Sequence, residues 1–270
     1  MAKSQRVKSV RPSDKSNDAK AEASSGGSLQ LSADNFCKRL IAQTSPAERK
    51  KVERYFNPVE AFGDEEDMVI GLGMGEVFAL AKEFVAMSLP EIEKLLESPV
   101  HEARVGAVSV MDFQARDKKT EETRKKELFD LYIRRHDRIN HWGLVDRAAP
   151  YVVGGYLSNK SRDILYKLAR SKNVWERRTS IVSTYYFIRK GEIDDTFSIA
   201  ELLVNDPHDL VQKATGGWVR EAGKKDTQKL LKFLDKYAAT MPRTTLRYAI
   251  EHLTPKQKKY YMELKSVSKK

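Results

Sequence analysis

The chain has 270 residues, 40% of them hydrophobic, which is enough to bury the core of one large domain or of one elongated array. Its formal net charge of +11 favours a polyanionic partner, either a nucleic acid or an acidic membrane face. Cys37 is the only cysteine, which excludes an intramolecular disulfide and a thiolate metal cluster and is typical of a reducing, intracellular setting.

The first 30 residues are rich in Ser, Lys and Ala and nearly lack large apolar side chains. Such a segment buries too little surface to order itself, so residues 1–30 are predicted to be a disordered basic tail. Residues 31–265 are predicted to form a single helical domain, and 266–270 a frayed tail. No run of about 18 apolar residues and no apolar signal core is present, so we expect a cytoplasmic protein without a membrane span, nucleoid-associated if it is bacterial.

Apolar residues recur at spacings of three and four throughout 31–265, which is the helical period. Helices are predicted to start near residues 32, 46, 76, 90, 101, 121, 143, 160, 174, 196, 209, 227, 243 and 255. Possible capping residues are Ser45, Ser88, Asn173, Asp194, Asp206 and Thr240. Helix pairs therefore repeat about every 30 to 40 residues, which predicts an all-α superhelical array of HEAT-like antiparallel helix pairs with a concave basic groove.

The sequence lacks GxxxxGK[ST] and HExxH, and its histidines lack metal-ligand spacing. "GLGMGEV" at 71–77 is glycine-rich, but its third glycine comes one residue too early for GxGxxG. We interpret this stretch as a flexible connector rather than a nucleotide site.

Trp142 and Asp146 are four residues apart and share one face of a helix that begins near Trp142. An aromatic face beside a carboxylate stabilises developing positive charge. The alternative is that Trp142 belongs to the core and that Asp146 caps a helix or pairs with an arginine.

Basic residues are concentrated in the second half of the chain. Arg177 and Arg178 stand in the first turns of a predicted helix, either as phosphate ligands or as a solvated charged pair. Lys213, Arg220 and Lys224 form a basic stripe on one helix, and Arg243 and Arg247 lie four apart on a later helix. Cations at matching places on successive helices are typical of a groove that holds a nucleic-acid backbone.

Five ordered stretches resemble the DNA alkylation repair (AlkD-like) family of HEAT-like-repeat DNA glycosylases, over residues 50–253. The stretches are "LPEIEKLLESPVHEAR", "INHWGLVD", "VWERRTSIV", "QKATGGWVREAGKKD" and "RTTLRYAIE". The resemblance implies hydrolysis of the N-glycosidic bond of cationic alkylated purines such as 3-methyladenine and 7-methylguanine. Such bases leave without protonation, so no metal or organic cofactor is required.

The resemblance also implies roles for individual residues. Asp146 matches the catalytic carboxylate, Trp142 the aromatic residue of its motif, and Arg178 the arginine that contacts the DNA backbone near the lesion. The other expected DNA contacts are Arg177, Lys213, Arg220, Arg243, Arg247, Tyr55 and Trp218. The expected partner is double-stranded DNA carrying alkylated bases, bound by a monomer.

The chain departs from the family pattern at three glycines. Gly217 occupies the position of a second cleft tryptophan, and Trp218 follows one residue later, rotated by about 100° on a helix. Gly143 replaces a usual aspartate and Gly75 a usual proline. An altered cleft is compatible with narrower substrates, weaker activity or binding without catalysis. Two other functions therefore stay open: a non-catalytic module for damaged, bent or branched DNA, and a HEAT scaffold for acidic proteins.

Overall fold

Helices make up nearly all of the regular structure in the computed structural model, which describes residues 30–47 and 68–264. Within these two ranges no strand is formed, and one isolated bridge pairs Met68 with Val100. The all-α prediction is therefore confirmed.

Most of the helices begin close to the predicted positions because the capping and periodicity signals are local, but the short helix Tyr185–Arg189 was not predicted as a separate element. The first part of the chain holds α1 (Ala33–Ala42), α2 (Met74–Glu83), α3 (Leu89–Leu96), α4 (His101–Arg116), α5 (Glu122–Arg134) and α6 (Trp142–Ala148). The second part holds α7 (Asp163–Ala169), α8 (Val174–Val182), α9 (Tyr185–Arg189), α10 (Asp194–Leu203), α11 (Asp209–Gly223), α12 (Thr227–Tyr237), α13 (Arg243–Ala249) and α14 (Pro255–Glu263).

Helices α4, α6, α8, α11 and α13 form a row in which each helix packs against the next. We call it the central row. Helices α3, α7, α10 and α12 each pack onto a helix of this row, and they precede or follow their partner in sequence. This pairing of sequence neighbours is the local arrangement that the predicted HEAT-like repeat requires. Its superhelical curvature and concave groove stay predictions.

The sequence pattern missed an irregular stretch after α6. A π-helical segment, Ala149–Gly155, is followed by a 3-10 turn, Tyr156–Asn159. Pro150 supplies no amide donor to the helical ladder. Gly154 lies against the turn between α8 and α9, where an added Cβ would be 2.2 Å from the Ser183 carbonyl oxygen. The segment can pack this closely against the turn because Gly154 has no side chain.

The predicted capping residues have mixed outcomes. Asn173 caps α8, and its side chain accepts a hydrogen bond from the Trp175 amide at 2.8 Å, as predicted. Asp194 is the first residue inside α10 rather than its cap. Asp206 was also wrong as a cap, because the ring of His208 caps α11 instead. Likewise the cap of α13 is Pro242, not Thr240.

The glycine-rich stretch before α2 is not a flexible connector. The Glu102 carboxylate, 1% exposed, accepts hydrogen bonds from the amides of Ile70 and Gly71 at 2.8–3.2 Å. Gly73 then caps α2, and its amide donates to the Glu76 carboxylate at 3.1 Å. A buried carboxylate therefore fixes this loop against α4, which sequence periodicity alone does not reveal.

The described residues from Leu31 onward belong to one compact unit with a continuous hydrophobic core. Apart from Gln30, the tails predicted at 1–30 and 266–270 lie outside the described residues, and so does Tyr55. In the part of the chain that the structure describes, no helix has both the length and the apolar character needed to cross a bilayer.

Candidate active site and nucleic-acid interface

Asp146 on α6 and Arg178 on α8 form a two-pronged ion pair across the central row. Arg178 donates from Nε to one carboxylate oxygen at 3.0 Å and from Nη2 to the other at 2.7 Å. The side chain of Asp146 is 38% exposed, whereas that of Arg178 is only 9% exposed. A buried, planar guanidinium thus orients a carboxylate that still faces solvent along one edge.

A third helix takes part in this arrangement. Nη1 of Arg178 donates to the backbone carbonyl of Leu210, in the first turn of α11. The guanidinium therefore joins α6, α8 and α11. Arg177 and Arg178 are not a solvated pair, which was one of the two interpretations of their position.

Trp142, the first residue of α6, is 40% exposed, so the interpretation as a core residue is wrong. It lies one helical turn before Asp146. Its indole packs against the ring of His141, with the ring centroids 5.2 Å apart. An aromatic surface and an oriented carboxylate are therefore both accessible from solvent on the same short helix.

A buried polar cluster supports α8 from behind. The hydroxyls of Tyr132 and Thr179 are 3.1 Å apart, and Nε2 of His136 lies 3.2 Å from the Thr179 hydroxyl. Burial raises the pKa of the Tyr132 phenol and lowers the pKa of His136. These three groups therefore stay uncharged and fix α8 next to α5.

Two histidines cap helices of the central row, a role that the sequence reading missed. Nδ1 of His141 accepts a hydrogen bond from the Gly143 amide at 3.1 Å, and Nδ1 of His208 accepts one from the Leu210 amide at 3.2 Å. Both bonds need an unprotonated Nδ1. Burial lowers the pKa of His141 to about 2, with smaller contributions from nearby positive groups. His208 has a lowered pKa for the same main reason.

The rings at the starts of these helices form a line along one end of the central row. His101 at the start of α4 packs edge-on against His141, with centroids 4.5 Å apart. Trp175 lies between His141 and His208, with centroid distances of 6.5 and 6.4 Å. The N-terminal ends of α4, α6, α8 and α11 are therefore adjacent, which places Trp142 at this end.

Arg177, the second arginine of its pair, is held away from Asp146. It forms a two-pronged ion pair with Asp206, at 2.6 and 3.2 Å, and it also donates to the carbonyls of Ser171 and Lys172. Its expected contact with DNA stays a prediction, and such a contact would have to compete with these bonds.

Lys213 on α11 and Arg247 on α13 line one depression of about 570 Å³, and the other lining residues are Asp209, Thr244, Tyr248 and Glu251. Asp209 forms an ion pair with Lys213, and Arg247 is exposed. The structure thus brings together two of the cations predicted to contact phosphates.

The remaining predicted cations, Arg220 and Arg243, are held separately. Arg220 forms ion pairs with Glu221 and Glu251, and Arg243 donates to the carbonyl of Met262. Their contacts with DNA stay predictions, and the carboxylates beside Arg220 reduce its net positive field.

The glycines of α11 face two different surroundings. A Cβ on Gly216 would lie 2.4 Å from the Thr245 carbonyl oxygen, because α13 packs closely there, whereas a Cβ on Gly217 would meet nothing within 4 Å. Trp218 is half-buried and turns toward α9, where its ring lies 5.2 Å from that of Tyr185. Open space therefore remains where the family pattern has a tryptophan.

The site therefore has one oriented carboxylate and one exposed indole on a row of paired helices. A comparison of the sequence with known families agrees with this arrangement. The model of the family described as "DNA alkylation repair enzyme" matches residues 37–253. The chain belongs to the DNA alkylation repair enzyme family. The resemblance seen in the sequence is thereby confirmed, and membership supports a role in DNA repair with DNA as the partner.

A solved structure has the same fold as this member of the family. It is described as a predicted DNA alkylation repair enzyme from Enterococcus faecalis, with a TM-score of 0.62 and 16% sequence identity. The match covers 79% of this chain and 98% of the other chain. No curated protein shows significant similarity to the sequence. Among the described residues, no group of three or more His, Cys, Asp and Glu side chains is placed to hold a metal ion.

Proposed function

We propose that the protein is a DNA glycosylase that removes cationic alkylated purines, such as 3-methyladenine and 7-methylguanine, from double-stranded DNA. The observation that supports this most directly is the Asp146 carboxylate, held at both oxygens by buried Arg178 and open to solvent along one edge. Loss of an alkylated purine leaves positive charge on the sugar. A fixed carboxylate stabilises that charge without having to reorganise.

Each group has a distinct part in the proposed reaction. Asp146 stabilises the oxocarbenium-like sugar and orients the attacking water. Trp142 packs against the deoxyribose or the lesion. The departing base is already cationic and leaves as a neutral purine, so no general acid is needed. Arg178 keeps the carboxylate in place, and its expected phosphate contact requires that it exchange one partner for another.

The proposed DNA contacts begin with the depression formed by Lys213 and Arg247, where two cations of neighbouring helices face the same space. Further contacts are proposed for Arg177, Arg220, Arg243, Trp218 and Tyr55. The protein is proposed to act on duplex DNA as a monomer, in the cytoplasm.

Base release from methylated duplex DNA tests the role of Asp146. We expect Asp146→Asn to lower the rate of 7-methylguanine release by about 100-fold or more, because the neutral amide cannot stabilise the sugar cation. Chromatography of the freed base measures this, and DNA binding of the same variant is expected to stay near the wild-type level. Asp130→Asn is the matched control, since Asp130 is also a half-exposed carboxylate in an ion pair, but on α5. Equal release by wild type and Asp146→Asn would remove Asp146 from the mechanism.

One observation favours a second function, a non-catalytic module that binds damaged, bent or branched DNA. The space beside Gly217 is open, so the described residues supply no aromatic wall at that position. Salt-sensitive DNA binding by the wild type, with no base released from methylated DNA, would select this function over the first.

A further inference from the structure

A second surface of the central row combines aromatic rings with cations, and its residues other than Trp218 have no part in the proposed reaction. It runs from the end of α4, over the π-helical segment and α9, to the second half of α11. We call it the aromatic–cation strip, and its members are Arg116, Tyr151, Tyr185, Arg189, Trp218 and Lys224.

Five members of the strip follow one another through ring and cation contacts, and Lys224 lies beyond them. The guanidinium carbon of Arg116 lies 3.7 Å from the ring centroid of Tyr151. Arg189 donates a hydrogen bond to the Tyr151 hydroxyl and lies 5.9 Å from the Tyr185 ring centroid. The ring of Tyr185 in turn lies 5.2 Å from that of Trp218. The rings are therefore interleaved with cations rather than grouped into a core.

The strip ends at a small recess of about 330 Å³, lined by Tyr185, Arg189, Lys224 and Lys225 among others. Its three rings are half-buried, so each presents part of its surface to solvent. The π-helical segment gives Tyr151 this position, and π-helical turns occur frequently at functional sites.

The charge around the strip is positive. Lys190 lies 5.3 Å from the ring of Tyr186 and adds a cation beside Arg189. Two carboxylates are nearby: Asp112 is fully buried against Arg116 and Arg147, and Glu221 pairs with Arg220 and Lys224. An anionic partner is thus favoured over a neutral or a cationic one.

We propose that the aromatic–cation strip binds a nucleic-acid strand with unpaired bases. Cations alone suffice to hold a duplex, because its backbone carries the charge and its bases are stacked inside. Partly exposed rings interleaved with cations fit a strand whose bases stack on protein side chains while its phosphates meet Arg and Lys. The ring centroids are 5.2 Å apart for Tyr185 and Trp218 and 6.5 Å apart for Tyr151 and Tyr185.

Fluorescence anisotropy with a labelled strand of about 20 thymidines tests the proposal, because a site of this kind spans several nucleotides. We expect the wild type to bind this strand, and to bind a strand of equal length built of abasic units at least fivefold more weakly. The abasic strand keeps the phosphates and lacks the bases. Equal affinity for the two strands would mean that only phosphates are recognised and would overturn the proposal.

Variants then locate the binding. Tyr185→Ala and Arg189→Gln are each expected to weaken binding of the thymidine strand about fivefold or more, and Tyr185→Phe to retain it, since stacking needs the ring and not the hydroxyl. Lys236→Gln is the matched control, because Lys236 lies 4.8 Å from the ring of Tyr237 on α12, outside the strip. Arg189 is exposed, so its variant reports on binding even where Tyr185→Ala is poorly folded.

Two further outcomes would overturn the proposal. In the first, Arg189→Gln weakens binding of a blunt duplex as much as it weakens binding of the single strand. That result would indicate that Arg189 contacts only the phosphate backbone. The other is binding of poly-glutamate as tight as that of the thymidine strand, which would indicate an acidic protein partner. The assay does not involve base release, so absence of glycosylase activity would leave the inference intact.

Discussion

Gly216 and Gly217 are neighbours in sequence, but the surroundings exclude a side chain at only one of the two positions. Gly216 permits the close approach of α13, since any side chain would collide with the backbone of Thr245. Gly217 has no neighbouring atom that would exclude a side chain. The first is therefore a packing requirement, and the second is a free position within a helix.

We predict that alanine at the two positions has effects of opposite sign. Gly217→Ala should raise the free energy of unfolding by about 0.5–1 kcal/mol, because alanine restricts the unfolded chain and suits a helix. Gly216→Ala should lower it, since the added Cβ would lie 2.4 Å from a carbonyl oxygen. Urea unfolding measures both, and each variant is the control for the other. A change of the same sign in both would contradict this account of the two glycines.

Arg178 is predicted to act through Asp146. Lysine keeps the charge but cannot hold both carboxylate oxygens in one plane. Arg178→Lys should therefore slow base release by about 10- to 100-fold, with a smaller change in DNA affinity. Single-turnover rates and binding constants on the same methylated duplex separate the two effects. Arg162→Lys is the control, because Arg162 is likewise held in ion pairs, with Glu192 and Asp195, but lies outside the site. A large loss of affinity with an unchanged rate would instead assign Arg178 to phosphate binding.

At the scale of the elements, the histidine caps make the stability of the central row depend on pH. His141 caps α6, and its ring packs against that of His101 at the start of α4. Burial lowers the pKa of His101 to about 3 and that of His141 to about 2, against an ordinary value of 6.5. Both rings are therefore neutral in the folded protein at neutral pH, whereas the unfolded chain takes up protons below pH 6.5.

The folded state is consequently predicted to lose stability as the pH falls below 6.5, and to keep losing it toward the low pKa values of the folded state. Each such histidine contributes up to about 1.4 kcal/mol per pH unit in this range. Urea unfolding at pH 7 and pH 5 measures the loss. His141→Asn keeps a capping side chain but does not titrate, so its loss should be smaller. His252→Asn is the control because His252 is exposed. Equal losses in wild type and His141→Asn would refute the assignment.

Local signals explain why most helices were predictable, whereas the site residues were named from the family resemblance and their pairing was not specified. The starts of α3 and α8 follow from the predicted caps Ser88 and Asn173, and those of α11 and α12 from apolar spacing, and these signals involve only a few neighbouring positions. The pairing of Asp146 with Arg178 joins residues 32 apart, and no local pattern encodes which of two adjacent arginines turns inward. The π-helical segment depends on contact between Gly154 and the turn at Ser183, which is also a long-range effect.

At the scale of the whole molecule, the basic side chains behind the net charge of +11 do not all contribute equally to the attraction of a polyanion. Many of the described basic side chains are in ion pairs, such as Arg177 with Asp206 and Lys229 with Asp194. The paired carboxylates partly cancel the positive electrostatic potential of these side chains close to the surface. Phosphate binding is then expected to depend most on exposed cations that line a depression, such as Arg247, because the neighbouring Lys213 is itself paired with Asp209.

Salt dependence of DNA binding tests this view. The logarithm of the binding constant should fall linearly with the logarithm of salt concentration, and Arg247→Gln should reduce the steepness by about 1, since one phosphate contact is lost. Anisotropy titrations at several salt concentrations measure the slope. Lys236→Gln on α12 removes the same charge from a side chain that pairs with Glu201, and it should leave the slope unchanged. An unaltered slope in Arg247→Gln would place the duplex elsewhere.

The bond from Arg178 to the Leu210 carbonyl connects a helix with proposed DNA contacts to the proposed catalytic carboxylate. Through this one guanidinium, the helix that carries Lys213 and Gly217 is tied to the carboxylate on α6. A displacement of α11 by a bound duplex would be transmitted to the orientation of Asp146 without any contact between the duplex and that residue. In the proposed reaction, substitutions along α11 are therefore expected to alter the rate of base release without contact with Asp146.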